Sequence, residues 1–163
     1  NITIHAGEAF GKESIWQAIQ WCGAHRIGHA THLKEDMIVD KNGKAIRFGD
    51  LAQYILDKRI PLEICLSSNL HTGAIDKIEN HPFGTLFKEK FRVTINTDDR
   101  LMSDTTLTKE FMTAVKYFNL TFDDIEKITI NSMKSSFIHY DERLKYIYDV
   151  IKPGFKKVGS KIT

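Results

Sequence analysis

Four short apolar runs in this chain each end in polar or ionisable residues, and three of them end in groups able to do acid–base or metal chemistry. The first run, residues 2–4, leads into His5-Ala6-Gly7-Glu8, and the second, residues 26–29, closes on Gly28-His29-Ala30. The third, residues 62–66, runs into Ser67-Ser68-Asn69, and the fourth, residues 91–96, ends in Asn96-Thr97-Asp98-Asp99. Neutral imidazole and carboxylate are ordinary zinc ligands, so His5 and Asp98 could share a metal. Zinc lowers the pKa of a bound water toward about 7, which supplies a nucleophile at neutral pH. His29 could take or hold the proton of that water. Glu8 lies three residues past His5, and a tight turn through Gly7 would aim it at a substrate in place of the metal. A protonated Glu8 would then donate to a ring nitrogen and make the adjacent carbon electrophilic. That combination suits hydrolytic removal of an amine from a heteroaromatic ring.

Taken singly, each residue has a structural explanation. A histidine at a strand end is commonly part of the hydrogen-bonded framework, an aspartate there commonly caps a turn or helix, and Gly7 serves a turn. Their recurrence at the same end of every apolar run sets them apart, because the C-terminal strand ends of a parallel barrel form its catalytic face. His25, His32, His71, His81 and His139 read as structural or exposed. Glu63 is acidic within the otherwise apolar run 62–66. Both faces of a parallel strand are normally covered, so Glu63 reads as a buried carboxylate that orients His29 from behind; a solvent-facing edge position is the alternative. Two protein ligands fall short of the three that a catalytic zinc site normally has, so the others must come from elsewhere.

The elements that would position these residues alternate. Residues 13–22 carry Ile15, Ile19 and Cys22 at helical spacing, with Gly23 as a stop. Phe48, Leu51, Ala52, Ile55 and Leu56 mark an amphipathic helix that should end before Pro61. Phe111, Met112, Ala114, Val115 and Phe118 share a helical stripe. Thr121 with Asp124 reads as the N-cap of a helix through Ile125 and Ile128. Leu144, Ile147, Tyr148 and Ile151 predict a last helix stopped by Pro153. Residues 34–44, with Asp40-Lys41-Asn42-Gly43 as a turn, read as the main loop. Strands alternating with helices predict parallel βα units. Four strands are too few for a closed (β/α)8 barrel of roughly 250 residues but suit half of one. An open doubly wound sheet is the alternative, although no glycine-rich phosphate loop follows the first strand.

The bulk properties narrow the setting. The 163 residues are 42% hydrophobic and 27% charged, an ordinary globular composition. A net charge of +2 from 23 basic and 21 acidic residues gives no electrostatic reason to expect nucleic acid. No apolar run approaches the roughly 20 residues of a membrane helix, and no signal sequence opens the chain. Cys22 and Cys65 belong to no CxxC motif and read as two buried, reduced thiols of a cytoplasmic protein. The chain opens directly on Asn1-Ile2-Thr3-Ile4, a strand-like run where a surface segment is usual, so residues are expected before Asn1. Residues 1–152 form the expected half-barrel, and 153–163 a basic, solvated tail.

The ordered series His5-Ala6-Gly7-Glu8, Ile27-Gly28-His29-Ala30, Ser67-Ser68-Asn69 with Thr72-Gly73, and Asn96-Thr97-Asp98-Asp99 resembles the adenosine deaminase family. Lys134-Ser135-Ser136-Phe137 is similar to a late helical motif of that family, and the resemblance runs from Asn1 to about Ile151. It implies the C-terminal half, strands five to eight and the following helices, of a (β/α)8 barrel. It further implies zinc-dependent hydrolysis of adenosine, and of 2'-deoxyadenosine, to inosine and ammonia in purine salvage. In the family pattern His5 and Asp98 bind the metal, Glu8 protonates a purine ring nitrogen, and His29 orients or deprotonates the attacking water. Gly7 and Asp99 contact the substrate, Asp99 at another ring nitrogen. The family also draws two zinc ligands from a His-x-His pair on its first strand. This sequence has no such pair, so one zinc ion would need two further histidines from outside the chain. Arg100 stands where relatives commonly have proline. The resemblance therefore implies a complementary N-terminal half, or self-association, as partner. An adenine or AMP deaminase of the same family is the nearest alternative, and a non-catalytic half-barrel fragment the next.

Overall fold

Parallel strands bury both faces only if successive side chains divide between two layers, and the strand register shows that division. The computed structural model describes residues 1–160. In chain order it contains β1 (Thr3–Ala6), α1 (Lys12–Gln20), β2 (Arg26–His29), a 3-10 segment Thr31–Asp36, β3 (Met37–Val39), β4 (Ala45–Phe48) and α2 (Asp50–Lys58). There follow β5 (Leu62–Ile64), α3 (Leu66–His71), α4 (Phe83–Lys88), β6 (Val93–Ile95), α5 (Leu107–Phe118), α6 (Phe122–Ser135), α7 (Tyr140–Lys145) and α8 (Lys152–Gly159). The main sheet has the order β1-β2-β5-β6 with every pairing parallel.

One rung of this sheet is Ile4, Ile27, Leu62 and Val93. The last three have no exposed surface and belong to a core shared with Ile15, Ile55, Leu86 and Ile128 from the surrounding helices. The next rung is His5, Gly28, Glu63 and Thr94, which presents polar groups to the opposite, concave face. Parallel strands in sequential order without a reversal, joined through helices, are the arrangement expected of half a (β/α)8 barrel, with β1 and β6 as the edges of this sheet. The candidate residues gather at the C-terminal ends of these strands.

Local signals behave as their chemistry dictates in several places. Thr121 and Asp124 form a reciprocal capping box at the start of α6. Elsewhere the structure departs from the sequence reading. The expected loop 34–44 is mostly ordered, as the end of the 3-10 segment and an antiparallel hairpin of β3 and β4. Only its turn was legible: Asp40 Oδ1 accepts from Asn42 N at 2.8 Å and Lys44 N at 2.9 Å. Phe48 lies in this hairpin and not in α2. Cys22 falls past the end of α1 and is exposed, whereas Cys65 is buried; both are free.

Pro153 does not stop the last helix. The chain passes from α7 through a π-helical turn at Tyr146–Ile151 into α8. Proline is tolerated in a first helical turn, where its missing N–H has no intrahelical partner. The segment expected as a solvated tail is therefore helical through Gly159, while residues 161–163 lie outside the described residues. No helix among the described residues is long and apolar enough to cross a membrane.

Candidate active site

His5, His29 and Asp98, from the ends of β1 and β2 and the segment after β6, place their ligand atoms within 4.8 Å of one another. The two imidazoles meet edge to face with centroids 4.7 Å apart. His29 Nε2 lies 3.5 Å from Glu8 Oε2 and 3.8 Å from Asp98 Oδ2. Glycine permits this closeness: a Cβ on Gly28 would lie 2.6 Å from His5 Cδ2, nearer than side chains approach. Backbone strain permits it too. His29, Ala30 and Asp98 have φ of 69°, 52° and 55°, a left-handed conformation that costs non-glycine residues about 1–3 kcal/mol each. Strand alternation would set His29 on the same side as Ile27; the left-handed residues end that alternation at the mouth of the sheet.

Gly7, at φ +68°, makes the turn that returns Glu8 to this group, and a Cβ there would strike Ile15 Cδ1 at 2.5 Å. The Gly7 N–H donates to Ser14 Oγ at 2.8 Å. In this structure Gly7 thus shapes the turn, and its N–H is engaged within the fold. Glu8 Oε1 accepts from Thr72 Oγ1 at 3.1 Å and from Asn69 Nδ2 at 3.5 Å. Its Oε2 remains turned toward His29. Ser68 Oγ donates to Asp98 Oδ2 at 2.7 Å. Asp99 is exposed, and its Oδ1 accepts from the backbone of Leu101 and Met102 at 3.1 and 3.2 Å, leaving Oδ2 open.

Electrostatics follow burial. His29 is 1% exposed, and its pKa is lowered first by desolvation and then by His5, against the opposing pull of Glu8 and Asp98. It is therefore neutral at pH 7. Burial raises the pKa of the Cys65 thiol, reinforced by Asp98, Glu110 and other carboxylates, so this cysteine is no nucleophile.

Glu63 does not reach His29. Its carboxylate forms an ion pair with Arg26, Nε lying 3.0 Å away, and accepts a hydrogen bond from the Thr3 hydroxyl at 2.7 Å. The expectation that it orients His29 is corrected: Arg26, two residues earlier on β2 than Gly28, captures the charge, and Asn69 occupies His29 Nδ1 at 3.0 Å. The motifs of the sequence contain Ser68, Asn69 and Thr72 but assign them no individual role, and His81 reads there as structural or exposed. Glu110 lies in none of these motifs; it is fully buried and accepts from Ser67 N at 3.2 Å and Thr105 Oγ1 at 2.7 Å. Polar residues just after a strand were signal enough for the first three; His81 and Glu110 lie on distant elements and gave none.

The chain matches the adenosine deaminase family over residues 1–153. It is 53% identical over 161 residues to adenosine deaminase 1 of Streptomyces coelicolor, covering 99% of this chain and 40% of that protein. The chain thus spans about two fifths of the length of the curated relatives it matches. An adenine deaminase from Arthrobacter aurescens superposes with a TM-score of 0.81 at 24% identity, covering 94% of this chain and 43% of that one. An amidohydrolase with bound zinc from Burkhoderia ambifaria superposes with a TM-score of 0.80 at 15% identity, covering 98% and 41%. These structural likenesses identify the fold as the half-barrel expected.

Proposed function

The chain belongs to the adenosine deaminase family, and from that premise we propose that it supplies half of the active site for hydrolytic deamination of adenosine, and of 2'-deoxyadenosine, to inosine and ammonia. The observation that carries the proposal is the convergence of His5, His29 and Asp98 within 4.8 Å, with Glu8 against the same group. The His5 imidazole and the Asp98 carboxylate are donors suited to zinc, so these residues fit the metal that the family implies. His5 and Asp98 would hold it, with two further histidines coming from a complementary N-terminal half-barrel. When bound, zinc supplies Lewis acidity that makes water nucleophilic at neutral pH.

The chain's own residues do the remainder. Thr72 and Asn69 hold Glu8 Oε1 as an acceptor, so a proton on Glu8 resides on Oε2, which is free to donate to a purine ring nitrogen. That donation draws electron density from the carbon bearing the amine, where water adds and ammonia leaves. Buried and neutral, His29 faces the attacking water. Asp98, fixed by Ser68, contacts the same water, and Asp99 Oδ2 is open to a second ring nitrogen. The setting proposed is cytoplasmic purine salvage.

Fall in ultraviolet absorbance as adenosine becomes inosine tests this reading on the chain assembled with an N-terminal half. Parallel rates on adenine and AMP test the substrate. A higher kcat/KM for either than for adenosine would overturn the substrate assignment.

A further inference from the structure

Direction propagates along a chain of hydrogen bonds when one end can only donate. The Phe83 backbone N–H is such an end, and its partner is His81 Nδ1 at 2.9 Å. A neutral imidazole that accepts at one nitrogen carries its proton on the other. Burial pushes the His81 pKa down to about 3, so this ring is neutral at pH 7. Its Nε2–H therefore donates to Asn69 Oδ1 at 3.0 Å.

That bond orients the Asn69 amide. Nδ2 then faces His29 Nδ1 at 3.0 Å and Glu8 Oε1 at 3.5 Å. The reverse amide orientation would set Nδ2 against the His81 N–H and the amide oxygen against the Glu8 carboxylate. Asn69, His29 and His81 are 0%, 1% and 3% exposed, so solvent offers no competing partners. Hence His29 Nδ1 accepts, and its proton is on Nε2, the nitrogen that faces Glu8 and Asp98.

We propose that Asn69 and His81 are positioning residues that hold His29 in its Nε2–H tautomer, so that His29 presents the reacting centre with a donor and no lone pair. The relay rests on the reading of His29 given above only for its effect on rate. A nitrogen that bears a proton cannot ligate a metal or accept from water. Of the two roles left open for His29, orienting the attacking water follows from this geometry, and removing its proton does not.

The test is ring-nitrogen NMR of 15N-histidine-labelled chain in its zinc-loaded assembly with a complementary N-terminal half. His29 and His81 are both expected to show protonated Nε2 and unprotonated Nδ1. Asn69→Asp can only accept from the two rings, so His29 should move its proton to Nδ1, and kcat should fall about 100-fold or more with KM little changed. His81→Gln keeps an N–H for Asn69 and should retain the tautomer and most of kcat, whereas His81→Leu should lose both. A wild-type His29 protonated at Nδ1, or a tautomer unmoved by Asn69→Asp, would overturn the relay. The nitrogen shifts require no turnover: an inert assembly with the Nε2–H tautomer would support the relay and count against the deaminase reading alone.

Discussion

Ser68 Oγ donates to Asp98 Oδ2 across 2.7 Å, which ties the segment after β5 to the candidate ligand after β6. Partners of ligating groups of this kind set the ligand's orientation and are worth about 10–100-fold in metal affinity. Ser68→Ala should weaken zinc binding within that range while leaving the circular dichroism spectrum unchanged. Competition against a chromophoric chelator measures it; an unchanged affinity would separate Ser68 from the metal.

Gly28→Ala places a Cβ 2.6 Å from His5 Cδ2. The His5 ring must swing away, because the alternative is movement of two paired strands. Zinc affinity should fall about 10-fold or more with a stability loss of only about 1–3 kcal/mol, the usual cost of overpacking. Gly7→Ala should be worse for folding, since it adds strain at φ +68° to a 2.5 Å clash with Ile15. Paired measurements of urea midpoint and metal affinity distinguish the two.

Legibility tracked how local the cause was. His5, Glu8, His29 and Asp98 were readable because each directly follows an apolar run, and strand direction alone sends such residues to one face. The Thr121 and Asp124 capping box was readable because its bonds close within three residues. Glu63 was misread because its partner depends on register: Thr3 pairs with Arg26, and Gly28 with Glu63, which brings the Arg26 guanidinium to the carboxylate. His81 was unreadable as a functional residue because its bond to Asn69 spans 12 positions and depends on the path between α3 and α4. Pro153 misled because a π-helical turn precedes it, and nothing in residues 146–151 signals one.

Glu63→Gln should barely move the pH–rate profile, because Glu63 contacts Arg26 and Thr3 and acts on His29 only through space, as the weakest of the charges around that ring. Its effect should be on stability, about 1–2 kcal/mol for weakening a partly exposed charged bond. A shift in the profile's limbs would restore Glu63 to the site.

Acid should destabilise the fold through His81. An unfolded histidine protonates near its ordinary value of 6.5, whereas folded His81 stays neutral down to about 3. Its contribution is therefore fully present above the unfolded value and is lost as pH falls through that window, at up to about 1.4 kcal/mol per pH unit. His29, also lowered, acts in the same direction. Urea midpoints from neutral pH downward should fall more steeply for wild type than for His81→Gln, and equal slopes would contradict the assignment.

Glu8→Gln should lower kcat by about 100- to 10,000-fold, the range for loss of a general acid. Oε1 keeps its bonds from Thr72 and Asn69 when it becomes an amide oxygen, so KM should change little. A variant with near wild-type kcat would remove Glu8 from proton transfer.

The most direct test of the account is the absorbance assay on this chain combined with zinc and the N-terminal half of an adenosine deaminase. The account predicts turnover of adenosine to inosine that is abolished by chelator, restored by zinc, and lost in His5→Ala and Asp98→Ala. A folded, stoichiometric, zinc-loaded assembly that leaves adenosine unchanged would contradict it.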